Sequence, residues 1–226
     1  MYNMKIEKFD FEKFKDMILT NIKEKKLLFH CSSVGGLTEL KPNKSWAYKK
    51  GTQPCVFASY HLNSVLFYGS KKHKGDLDGQ YGLMNENGEI FFYEAYPDSL
   101  KQVFDNEKCY IYVVDQKSSH FEENQTSYSA EVVDGTGNPV KLLKCYEVEN
   151  IYELMQEFQK HNLLHLFYYK DYGEKEFDRI LRHQKYLITG YSQNPNSPYY
   201  QFCLDHYPKA VEELEHEKIV SANITQ

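Results

Sequence analysis

The run Cys109-Tyr110-Ile111-Tyr112-Val113-Val114 is β-branched or aromatic at nearly every position, and such side chains pack on a pleated surface better than around a helix. It is the strongest local constraint on the fold, because similar runs lie on both sides of it. Leu27–Ser32 is a short apolar stretch ending in small polar residues, Cys55–Ser59 is a second, and Tyr128–Val133 and Val140–Val148 follow. Tyr81–Met84 and Glu89–Tyr93 flank Asn87-Gly88, the pair that a two-residue hairpin turn favours. Phe11, Phe14, Ile18 and Ile22 recur at helical spacing and predict a helix within residues 8–26. Short helices are expected near Leu62–Gly69, capped by Asn63 or Ser64, and over Asp98–Phe104. The intervening stretches read as connectors: Leu37–Pro42, residues 43–54 with Trp46, the polar residues 70–80, and Phe121–Asn124.

After Asn150 the pattern changes. Ile151, Leu154, Met155, Phe158 and Leu163 suit an amphipathic helix, and the remainder reads as helices broken at Asn194-Pro195-Asn196-Ser197-Pro198. The expected organisation is an α+β domain over residues 1–150, with Val140–Val148 its final strand, and a helical extension over residues 151–226.

Bulk properties narrow the function classes. The chain has 226 residues, 41% hydrophobic and 26% charged, which is ordinary globular composition. A net charge of −5 argues against general nucleic-acid binding, which needs an excess of Lys and Arg to displace counterions. Lys71-Lys72-His73-Lys74, the one basic run, is followed by Asp76 and Asp78 and reads as a solvated loop. The five cysteines are scattered, with no CxxC pair, as expected of reduced thiols in a cytoplasm. No apolar stretch approaches the ~18 residues of a membrane span, and Met1-Tyr2-Asn3-Met4-Lys5 opens no signal core. Twenty tyrosines against one tryptophan suit half-buried sheets and wet clefts.

Most apparent motifs lead nowhere. His161 and His165 are spaced i, i+4, but Asn162 stands where a zinc-protease helix needs Glu, and no metal is expected. Gly135-Thr136-Gly137 lacks the third glycine and following helix of a dinucleotide loop and reads as a turn. His30 and Cys31 are adjacent on a strand, so they face opposite ways and form no dyad.

The order of several short pieces says more. Leu28-Phe29-His30-Cys31-Ser32-Ser33 resembles the "L-Y-H-G-S/T" opening strand of bacterial ADP-ribosyltransferase-like domains. Leu40-Lys41-Pro42 resembles their "L-x-P", and Val56-Phe57-Ala58-Ser59 their second strand, "V-Y-A-T/S". Tyr110–Asp115 followed by Phe121 looks like "Y-I-Y-x-V-D…F", and Tyr128–Val133 is similar to the later strand that carries an acid. The likeness spans residues 27–150. It implies a split antiparallel or mixed sheet that grips NAD as substrate and passes ADP-ribose to a protein or small-molecule acceptor.

Cleavage of the nicotinamide–ribose bond passes through an oxocarbenium-like state, as glycoside hydrolysis does, and a carboxylate near the developing charge stabilises it. The resemblance assigns Glu131 as that carboxylate, with Glu122 and Glu123 as substitutes, and His30 as the ribose-orienting donor. It puts Cys31, Ser32, Phe57, Ser59 and Tyr60 beside His30 in the NAD site. Phe57 replaces the family's usual tyrosine, whose hydroxyl Tyr60 supplies only if the strand ends early, and Cys31 replaces a glycine. Both departures leave open a second expectation, a catalytically inactive module that binds a nucleotide or a protein partner.

Overall fold

The computed structural model describes residues 4–45, 51–81, 89–123 and 131–224, with backbone only at 80, 81 and 218–224. Trp46, the Asn87-Gly88 turn and the first part of the Tyr128–Val133 stretch lie outside the described residues.

In chain order come β1 (Ile6–Lys8), α1 (Phe11–Glu24) and β2 (Leu28–Ser32), followed by the short β3 (Glu39–Leu40) and β4 (Asn43–Lys44). Next come β5 (Pro54–Ser59), α2 (Leu62–Val65) continued by a 3-10 turn at Leu66–Gly69, β6 (Gly79–Tyr81), β7 (Ile90–Glu94) and α3 (Ser99–Phe104). The chain continues through β8 (Cys109–Val114), β9 (Phe121–Glu123), β10 (Glu131–Asp134), β11 (Val140–Val148), α4 (Ile151–Lys160) and β12 (Leu164–Phe167). It finishes with α5 (Glu174–Tyr191), α6 (Pro198–His206) and α7 (Pro208–Ile224). The chain is thus mixed α+β, with seven α-helices among the described residues and a largely antiparallel main sheet. No helix among the described residues is long and apolar enough to cross a membrane.

Local chemistry sets the helix ends. The Asp10 carboxylate accepts the Lys13 N–H at the start of α1, and Asn150 Oδ1 accepts the Tyr152 N–H at 3.0 Å at the start of α4. Ser197 caps α6, and Pro198 fills its first turn, where a missing N–H costs nothing.

Several expectations are corrected. Residues 43–54 are not all loop, since Asn43 and Lys44 pair with Cys55 and Pro54. Phe121–Glu123 is an edge strand on β10. Its two adjacent glutamates break the apolar alternation that would mark a strand. β12 lies beyond Val140–Val148, which is therefore not the last strand. Asn63 and Ser64 do not cap α2; both are buried within it, and the helix starts after His61.

The main sheet runs β1-β11-β8-β2-β5-β10-β9, with β3 on β11 and β4 on β5; β1 is parallel to β11 and the other registered ladders are antiparallel. A second sheet has the order β12-β7-β6. Two compact units emerge. Unit 1 holds Met1–His73, Gly82–Phe91 and Lys101–His165; unit 2 holds Lys74–Tyr81, Phe92–Leu100 and Leu166–Gln226. Residue 150 thus falls inside unit 1, and α4 packs there, with Phe158 edge-on to Phe11 of α1 at 5.2 Å.

In unit 2, Leu77, Ala95 and Tyr96 form one core with Leu181, Leu187, Ile188, Cys203, Tyr207 and Ala210. The Tyr207 hydroxyl donates to the Leu77 carbonyl, and Gln184 Nε2 to that of Ala95. Buried Glu94 accepts the Tyr169 N–H at 2.8 Å and the Leu100 N–H at 3.3 Å; burial raises its pKa.

Candidate functional site

Strand register decides which side chains share a face, because directly opposed residues of an antiparallel ladder point the same way. His30 faces Tyr112 and Ser32 faces Tyr110. Phe29 faces Ser59, and Ser59 in turn faces Glu131. His30, Ser32, Val56, Ala58, Tyr110, Tyr112 and Val132 therefore lie on one face of the sheet. Cys31, Phe57, Ser59 and Glu131 lie on the other. Packing agrees: Val56, Ala58, Tyr112 and Val132 join one core, whereas Cys55, Val133 and Phe57 form a separate cluster.

His30 sits where the sheet parts. The described ladder between β2 and β5 holds one registered pair, Phe29 with Ser59, and β5 pairs with β4 at Cys55 and Pro54. Between these points the Phe57 carbonyl meets the His30 imidazole, 2.9 Å from Nδ1. A carbonyl only accepts, so Nδ1 carries the proton. Burial holds the imidazolium pKa below its ordinary value, opposed by the Phe57 hydrogen bond. A neutral ring protonated at Nδ1 leaves Nε2 as an acceptor.

Glu131, half-buried on the opposite face, has Oε1 held at 2.8 Å by the hydroxyl of Tyr68, which is 51% exposed. Of the substitute acids, Glu122 opposes Val133 and shares the Glu131 face, while Glu123 opposes Val132 and shares the face of His30.

The other expected ligand contacts divide likewise. Ser32 Oγ accepts the Val34 N–H at 3.1 Å. Ser59 is fully buried, its Oγ 2.9 Å from both the His61 N–H donor and the Ser64 hydroxyl, so it shapes the entry to α2. Tyr60 is half-buried against the core on the His30 side, with the Lys25 ammonium 5.9 Å from its ring. His161 ends α4 while His165 lies in β12, so no single helix presents the two.

Cys31 is buried, and burial together with the neighbouring Cys109 thiol pushes its pKa well up, which suits an inert core thiol. Gly69 covers this pair. A Cβ there would lie 2.6 Å from the Cys109 Cβ and 2.8 Å from the Cys31 sulfur. Its φ is not positive, so the constraint is purely steric. Gly69→Ala is expected to destabilise the protein by about 2 kcal/mol through overpacking, read as a lower urea midpoint; an unchanged midpoint would show that the 3-10 turn yields freely.

Sequence reasoning missed Tyr110 and Tyr112 as neighbours of His30. Their alternation along Cys109–Val114 places both on one face, a signal available in the sequence, but the partner strand is set by long-range pairing. Comparison with protein-family models, curated proteins and solved structures finds no match for this chain.

Proposed function

We propose that the chain is an ADP-ribosyltransferase-like module that binds a nucleotide of the NAD type without transferring ADP-ribose through Glu131. The observation that carries this reading is the register Phe29–Ser59–Glu131, which sets the carboxylate on the face opposite His30. A ribose held at His30 Nε2 has that carboxylate behind the sheet, where it cannot stabilise a developing oxocarbenium. Support for the nucleotide comes from the parted ladder at β2 and β5, the imidazole lodged in it, and the Tyr110 and Tyr112 rings on the same face.

The test pairs a chemical assay with a binding assay. Purified protein incubated with NAD should release no nicotinamide. Calorimetric titration should show NAD binding that His30→Ala weakens tenfold or more, about 1.4 kcal/mol. Nicotinamide release lost in Glu131→Gln would overturn the reading in favour of transfer at the expected acid. Glu123, on the His30 face, supports a second reading in which transfer proceeds through that residue; release lost in Glu123→Gln but retained in Glu131→Gln would establish it.

A further inference from the structure

The loop after β2 returns across the face that carries His30. The Tyr112 hydroxyl, opposite His30 in register, donates to the Val34 carbonyl at 2.7 Å and accepts the Leu37 N–H at 3.2 Å. Gly35, between those two points, lies against the ring of Tyr110: a Cβ there would be 2.6 Å from Cζ and 2.7 Å from Cε1. Gly36 adopts φ +74°, a left-handed turn that glycine makes without strain. Its backbone N–H approaches the sulfur of Cys145, which also sits beside the Tyr112 phenol. A segment of four residues is thus fastened at three places, to the two rings that flank His30 and Ser32 and to the thiol of the next strand.

The hydrogen bonds among these attachments are few, and Leu37 adds apolar packing against the core beneath. Val34 itself is 53% exposed. The Tyr112 ring is fully buried, so its hydroxyl depends on the segment for partners and the segment on the hydroxyl. Burial raises the Tyr112 pKa, so the phenol keeps its proton and the latch does not open across ordinary pH.

The geometry points to Val34–Leu37 as an autoinhibitory strap, which occupies the aromatic surface beside His30 and must lift before a nucleotide base can stack there. This inference rests on the nucleotide-binding reading above. A ligand that binds only the open state has its apparent affinity reduced by the fraction of molecules that are open, and weakening the latch restores it.

Two variants loosen the strap by independent routes. Tyr112→Phe removes both hydrogen bonds and keeps the ring, while Gly35→Ala drives a methyl group into Tyr110 and leaves the Tyr112 hydroxyl in place. Hydrogen–deuterium exchange without nucleotide should accelerate at residues 33–37 in both variants, with β8 as protected as in the wild type, which controls for unfolding. Calorimetry should then show NAD bound at least tenfold more tightly by both. Unchanged exchange at residues 33–37 would overturn the strap, because these contacts would not be what holds it. Faster exchange with unchanged or weaker NAD affinity would also overturn it, leaving nucleotide binding intact and making the loop part of the binding surface. Faster exchange with no NAD binding by any of the three proteins would overturn the nucleotide reading, and the strap with it.

Discussion

Asn21→Ala should lower the stability of the protein by about 3 kcal/mol, with little change in the helix that carries the residue. Asn21 is 3% exposed, and its side chain ties three parts of unit 1 together. Nδ2 donates to the carbonyls of Leu27 and Tyr60, each at 2.8 Å, and Oδ1 accepts the Leu27 N–H at 2.7 Å. Alanine leaves all three backbone groups without that partner, and each buried orphan costs about 1–3 kcal/mol. Leu27 and Tyr60 are only half-buried, which puts each group near the lower end of that range and the three together at about 3 kcal/mol. Helix α1 should persist, because the Lys25 N–H bonds to the Asn21 backbone carbonyl, which alanine keeps. Urea denaturation followed by circular dichroism measures the loss. A loss under 1 kcal/mol would mean that solvent replaces the amide, and Asn21 would be no more than a convenient filler.

Acid should destabilise the protein through His61, just beyond the same knot. The ring is 6% exposed, and its Nδ1 has no hydrogen-bond partner among the described residues. Burial, reinforced by the Lys25 charge, lowers its pKa from 6.5 to about 4. The folded state therefore refuses a proton that the unfolded chain accepts. The contribution of neutral His61 is complete above pH 6.5 and is lost as pH falls toward 4. At 1.36 kcal/mol per pKa unit, the full loss is about 3 kcal/mol. His30, whose pKa is also lowered, adds to it in the same direction. Carboxylates titrate over part of this range, so the comparison is between proteins. In His61→Leu, the fall in unfolding free energy from pH 7 to 4.5 should be smaller than in the wild type by more than 2 kcal/mol. Parallel curves for the two proteins would show that His61 protonates in place.

The strands of the main sheet were legible because packing on both faces writes an apolar run into the chain, as in Leu28–Ser32 and Cys109–Val114. The opposed directions of His30 and Cys31 followed from alternation alone. What alternation cannot supply is the partner of each strand. Only the pairing of Ser59 with Phe29 on one side and Glu131 on the other fixes the face of Glu131, and those residues are far apart in sequence. The short strands failed for a different reason: β3 and β4 have two residues each, held by neighbours rather than by their own composition. Buried Asn21 and Ser59 read as unremarkable polar residues until the carbonyls and hydroxyls they serve are in view.

Unit 2 is assembled from pieces that leave the ribosome at very different times. The Leu77 carbonyl that Tyr207 reaches is 130 residues earlier in the chain, and Leu77, Ala95 and Tyr96 are all made before their partners on α5 and α6. At roughly 5–20 residues per second, Leu77 waits on the order of ten seconds for Tyr207. Over that interval its apolar surface lacks the cover of α5 and α6, and the slow, long-range closure that follows leaves the nascent chain open to misassociation. The demand on cellular chaperones should therefore fall on Leu77 and Tyr96, whose cover in the core of unit 2 is completed last.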